Sequence, residues 1–126
     1  MDVKIILCDT TGVCVDLDIR ESSNICTIKL KGRLVCGQAV GQFEAAFKAA
    51  LASGHIFLVL DLEELPYIDS SGIGSMVNAL RTSMQLGGAV KLVKVGSFAE
   101  KTLKMCGLLE LFGVYQSEAE AVAACG

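Results

Sequence analysis

The 126 residues carry 52% apolar and 20% charged side chains, with a single Pro and no Trp. That balance excludes a disordered or low-complexity chain and suits one compact domain over residues 1–126, able to hide roughly two-thirds of its unfolded surface. A formal net charge of −3 and a pI near 5.1 argue against nucleic acid or an anionic membrane as the main partner, because both demand a basic footprint.

The N-terminal apolar stretch stops at Asp9, and no run approaches the roughly eighteen apolar residues that cross a bilayer, so neither a secretory leader nor direct membrane insertion is expected and a cytoplasmic address follows. Six cysteines (Cys8, Cys14, Cys26, Cys36, Cys106, Cys125) fall outside any CxxC spacing. They read as reduced core thiols, with Cys8 and Cys14 able to face each other across a turn. A single His gives a His-containing metal cluster little to build on, and no cofactor is expected.

In chain order, residues 3–8 and 13–19 are rich in Val, Ile and Leu around Asp9-Thr10-Thr11-Gly12, which predicts a β-hairpin. Cys26, Ile28 and Leu30 alternate with Thr27 and Lys29, the period of a half-buried strand over residues 25–30. Val40, Phe43, Phe47, Ala50 and Leu51 then recur at three- and four-residue steps up to Gly54, predicting the first helix, with Phe43 and Phe47 in the core. Residues 56–60 are apolar without alternation, as in a central strand covered on both faces. A loop is expected over residues 63–68. Ile73, Met76, Val77, Leu80 and Met84 mark a second helix closed by Gly87-Gly88, followed by a strand over residues 90–95 on which Lys91 and Lys94 read as solvated flanks.

Ser97 offers an N-cap to a helix ending before Gly107, residues 114–115 suit a last short strand, and Ser117 with Glu120 forms a capping box for a helix over residues 118–124. Strands first, then helix and strand in alternation, give an α/β or α+β fold with a mixed sheet.

The most informative stretch is LVLDLEELPYIDSSGIGSMVNALR, residues 58–81. Asp69 or Ser70 stands where the second helix needs an N-cap, Pro66 stiffens the approach, and Gly72 and Gly74 permit close backbone contact. Ser70 is therefore expected to be exposed at a helix N-terminus, where backbone N–H groups and the helix dipole would hold a phosphate carrying about −1.5 to −2 charge. A partner docked on that loop would have to desolvate the added charge. The same residues equally suit a plain helix cap. Tyr67, an aromatic on a rigid loop, is the best further contact candidate, while Lys101 and Lys104 suit either an acidic partner or an ordinary exposed helix face.

The segment over residues 60–74, a hydrophobic strand, Asp-Leu, Pro-Tyr-Ile and Asp-Ser-Ser-Gly-Ile-Gly, resembles the signature of STAS domains, the anti-sigma-factor antagonists and their relatives. The similarity extends over roughly residues 15–124, through Gly87-Gly88, Met105-Cys106-Gly107-Leu108 and Ser117-Glu118-Ala119. It implies a mixed sheet of four to five strands with about four helices, and an interaction module rather than an enzyme. It also implies that Ser70 is phosphorylated by an anti-sigma-factor serine kinase and restored by a PP2C-type phosphatase. The unphosphorylated domain would capture the kinase and free a sigma factor, with Tyr67, Asp69, Ser70, Ser71, Gly72 and Gly74 forming the partner-binding loop.

Two features depart from the family pattern. After Gly32-Arg33-Leu34, where the family often has an acidic residue, stands Val35. Residues 1–13 add an edge strand, which can cover the sheet edge or pair with a second copy as a homodimer.

The same loop would also serve a STAS subunit of a signalling scaffold or of a lipid-transport ABC complex. A serine hydrolase is disfavoured, since the central strand alone places His55 about 17 Å from Ser70 and no Gly-x-Ser-x-Gly elbow is present. The lone Gly72-x-Gly74 is weak evidence for a nucleotide site.

Overall fold

The computed structural model describes residues 2–6 and 15–125. Six strands, β1 (Asp2–Ile6), β2 (Val15–Ser22), β3 (Ile25–Leu34), β4 (Phe57–Ile68), β5 (Ala89–Val93) and β6 (Val114–Tyr115), form one sheet in that spatial order. The first three are antiparallel and the pairs β3–β4, β4–β5 and β5–β6 are parallel. The added N-terminal strand is present as β1, in register with β2 from Asp2↔Arg20 to Ile6↔Asp16. The expected turn between them, and with it Cys8 and Cys14, lies outside the described residues.

Five helices complete the fold: α1 (Gln38–Ala52), α2 (Ser70–Gln85), α3 (Ser97–Met105), α4 (Leu109–Phe112) and α5 (Glu118–Ala124). The single turn α4 is additional to the four helices read from the sequence. Gly96 rather than Ser97 caps α3, whereas the Ser117 side chain does cap α5, accepting from the Glu120 N–H at 3.2 Å.

Period decides which face each element buries. Cys26, Ile28 and Leu30 of β3 and Leu58 and Leu60 of β4 point into the main core, where Phe43 and Phe47 of α1 and Met76 of α2 are fully buried. The two Phe rings meet at 5.2 Å and 59°, an edge-inclined contact favoured by the ring quadrupoles. Val59 and Val93 point to the opposite face, where Ala121 of α5 covers them. The unalternating run in β4 is thus buried from both sides, as expected of a central strand.

Beyond Val59 that second face turns polar. Asp61 is buried and accepts from the Glu63 N–H at 3.0 Å. Burial pushes its pKa up, but hydrogen bonds with Glu118 and the Glu63 amide, and the charges of Lys29 and Lys94, hold it below the usual carboxylate range. Glu118 shifts the other way, raised by the hydrogen bond with Asp61 and by burial. The Arg20 guanidinium lies 2.5 Å from its carboxylate. This cluster ties the first turn of α5 to β2 and β4.

Two expectations need correction. Residues 63–68 are strand, not loop: β4 continues to Ile68, with Lys31 opposite Glu64 and Arg33 opposite Tyr67. Register shifts after Lys29 and after Lys31 bulge the strand, and past Asp61 it no longer pairs with β5, so Pro66 sits where a missing N–H is tolerated. Among the described residues the cysteines are free but not all in the core: Cys26 is a core thiol whose pKa burial and the nearby Glu21 push up to about 12. Cys36 and Cys106 are exposed, because they fall in the β3–α1 connection and at the end of α3 rather than on a buried face.

Candidate functional site

β3 and β4 run parallel, so the loops leaving them lie side by side, and Asp69 joins the two. It is the N-cap of α2, with extended backbone at φ −101° and ψ −175°. One carboxylate oxygen accepts from the Gly72 N–H at 2.9 Å and the other from the Cys36 N–H at 2.9 Å. Its own N–H donates to the Leu34 carbonyl at 3.2 Å. The Cys36 amide foremost, with those of Gly72 and Ser71, holds the Asp69 carboxyl below the usual range. These bonds favour the charged form, so a fixed negative charge sits at the mouth of the site.

Ser70 is the first residue of α2 and is exposed, as is Ser71. Ser75 is buried, and its hydroxyl donates to the Gly72 carbonyl at 2.7 Å. Ser70 is thus open to solvent where Ser75 is not. Of the amides expected to cradle a phosphate, the Gly72 N–H donates to Asp69 and that of Ser71 faces it in part. A phosphate on Ser70 would therefore add to a carboxylate charge instead of replacing it.

The two glycines of the motif play different parts. A Cβ on Gly72 would lie 2.4 Å from the Leu34 carbonyl oxygen and 2.6 Å from the Ile68 side chain, so only glycine lets α2 start this close to β3. A Cβ on Gly74 would meet nothing within 4 Å. The close approach expected at both occurs within the chain at Gly72 alone, and Gly74 is an exposed, bare position one turn into the helix.

Tyr67 is 50% exposed, and the Arg33 guanidinium lies 4.9 Å from its ring centroid, within cation–π range. Arg33 was not singled out by the sequence, since its placement over the ring depends on the β3–β4 register that sets it opposite Tyr67. Val35 packs partly buried against the core and brings no charge to the loop. Lys94 is exposed and pairs with Glu63 at 2.9 Å, while Lys101 and Lys104 are exposed on α3.

His55 precedes β4, next to Glu21 at 3.5 Å, and Ser70 follows its far end, so the strand holds apart the two residues a hydrolase would need together. In the Gly-x-Gly pair, the Gly72 amide is turned to Asp69.

A model of the STAS domain matches residues 16–121. The chain belongs to the STAS family. It is 30% identical over 103 residues, 76% of this chain and 89% of the other, to BtrV of Bordetella bronchiseptica, a candidate anti-sigma factor antagonist. It is 31% identical over 65 residues to an anti-sigma F factor antagonist of Paenibacillus polymyxa; that match covers 52% of this chain and little more than half, 56%, of the relative. The structure of the Bacillus cell fate determinant SpoIIAA in its phosphorylated form superposes with a TM-score of 0.72 at 23% identity, covering 85% of this chain and 96% of that one. The α/β STAS fold is therefore common to both, with β1 beyond the family match. Among the described residues no helix is long and apolar enough to cross a membrane.

Proposed function

We propose that residues 1–126 form one cytoplasmic STAS domain that acts as an anti-sigma-factor antagonist. It binds an anti-sigma-factor serine kinase through Tyr67, Asp69, Ser70, Ser71, Gly72 and Gly74, and is switched off when that kinase phosphorylates Ser70. A PP2C-type phosphatase restores the binding form. The observation that carries this reading is the exposed Ser70 at the first position of α2, fixed beside the doubly hydrogen-bonded Asp69.

The physics of the switch is electrostatic. A phosphate brings about −1.5 to −2 charge to a surface where the Asp69 carboxylate is already held ionised, and a docked partner must desolvate both. A penalty of about 3 kcal/mol corresponds to roughly a hundredfold loss of affinity. Because the acceptor lies outside the core, the modification changes the surface and leaves the fold in place.

Incubation with the cognate kinase and ATP is expected to add one phosphate, read by mass spectrometry. Ser70→Ala should abolish it and Ser70→Asp should weaken kinase binding. Phosphate on Ser71 would move the site. Kinase binding with no phosphate transfer would favour the alternative, a STAS interaction subunit of a signalling scaffold or of a lipid-transport ABC complex.

A further inference from the structure

Between the second half of β4 and the start of α3 runs a cleft of about 660 Å³, and Ser70 forms part of its wall. Leu65, Pro66 and Tyr67 line one side and Phe98 and Ala99 the other. Phe98 is 57% exposed and Tyr67 50%. A single exposed aromatic on a surface is ordinary, but two bordering one cleft beside the candidate phosphoacceptor form a connected apolar surface. Its volume lies in the range of sites that bury a compact ligand and leaves ample room for an anchoring side chain.

Charge selects the occupant. The full charges on the lining are Glu63, Lys94 and Asp69. Glu63 and Lys94 neutralise each other at 2.9 Å, and the Asp69 oxygens accept the Gly72 and Cys36 amides. A nucleotide or other anion would find no unengaged cation among these residues and would face the Asp69 charge. An uncharged apolar side chain would meet Leu65, Pro66, Tyr67 and Phe98, and the charged groups beside it already have partners.

We propose that this cleft receives an apolar anchor side chain projecting from the kinase that docks at Ser70, and that Phe98 is its principal contact on this chain. The inference rests on the antagonist reading and adds to it a second contact, on α3, outside the Asp-Ser-Ser-Gly loop. It also gives the phosphate a further effect. On the cleft wall, a phosphate on Ser70 would set its charge against the apolar lining and disfavour the anchor.

The test measures Kd of the full-length chain for the kinase that phosphorylates Ser70, by titration calorimetry. Phe98→Ala should weaken binding at least tenfold and Phe98→Leu by less. Met105→Ala, on the same helix and 82% exposed but outside the cleft, should bind like the parent. In a partner-free arm, the uncharged probe N-acetyl-tryptophanamide should shift the amide resonances of Tyr67, Phe98 and Ala99 in the parent and not in Phe98→Ala. Inorganic phosphate at the same concentration should leave them in place. If Phe98→Ala binds within twofold of a parent that is itself bound and phosphorylated, the cleft proposal is overturned and the antagonist reading stands. Saturable shifts at these amides with ATP or GTP would overturn it in favour of a nucleotide site. A parent that binds no kinase would overturn both.

Discussion

The two halves of β4 meet opposite demands within one strand. Residues 57–61 pair in unbroken register with both β3 and β5 and alternate between two buried faces. Residues 62–68 keep β3 as their only strand neighbour among the described residues, shift register against it, and carry Pro66, Tyr67 and the approach to Ser70. The first half is regular because packing on both sides fixes its side chains. The second is released from β5 and bulged against β3, and just past its end Asp69 bonds the Cys36 amide beyond the end of β3. The candidate site is built where the sheet's regularity ends and a rigid base lies immediately behind.

Substitutions in the two halves should therefore separate stability from recognition. The largest effect is expected at Leu60, fully buried in the regular half. Leu60→Ala should cost about 2–5 kcal/mol in urea unfolding while the remaining folded molecules bind the kinase unchanged. Altered binding per folded molecule would show that the halves are coupled. Next comes Gly72, at the seam. A Cβ there drives into the Leu34 carbonyl, so Gly72→Ala should cost about 1–3 kcal/mol and also speed hydrogen exchange of the Asp69 amide, which donates to Leu34.

The same division separates what was legible in the sequence from what was not. The regular half of β4 could be read from Leu58-Val59-Leu60 alone, and α1 from the spacing of Val40, Phe43, Phe47 and Leu51, because each signal lies within one element. The α5 cap was legible for the same reason, being a bond from Ser117 to Glu120. Residues 63–68 read as loop because Glu63-Glu64 and Pro66 look like strand breakers when the neighbour is unknown. The Asp69–Cys36 bond and the placement of Arg33 by Tyr67 join residues over thirty apart in sequence, and their pairing follows bulges that leave no local pattern. The glycine pair was half legible: the motif marks Gly72 and Gly74 alike, yet only the packing against Leu34 and Ile68 distinguishes them. Exposed Cys36 and Cys106 were missed because apolar neighbours along the chain do not fix burial in a loop or at a helix end.

A smaller effect is expected at Asp69. Asp69→Asn keeps one cap oxygen for the Gly72 amide and replaces the acceptor facing the Cys36 amide with a donor, at a cost of about 1–2 kcal/mol at neutral pH. The folded-state pKa of Asp69 lies below its ordinary value. Its contribution is therefore fully present above the unfolded carboxylate pKa, near about 4, and lost as pH falls through the lower folded value. Stability profiles of parent and variant should run apart above that window and converge below it. A constant gap down to acid would mean that the cap acts through shape and not through charge.

The smallest effect is expected where the irregular half meets solvent. The Arg33–Tyr67 contact is exposed on both sides, so a double-mutant cycle with Arg33→Ala and Tyr67→Ala should give a stability coupling of about 0.5–1 kcal/mol. Affinity for the kinase should respond more. Arg33 restricts the Tyr67 ring before the partner arrives, so Arg33→Ala should weaken binding by adding ordering entropy even if Arg33 touches nothing on the partner. Loss of the stability coupling with unchanged kinase affinity would show that Tyr67 is held well enough by Pro66 and the bulged strand, placing its preorganisation in the backbone and not in the cation above the ring.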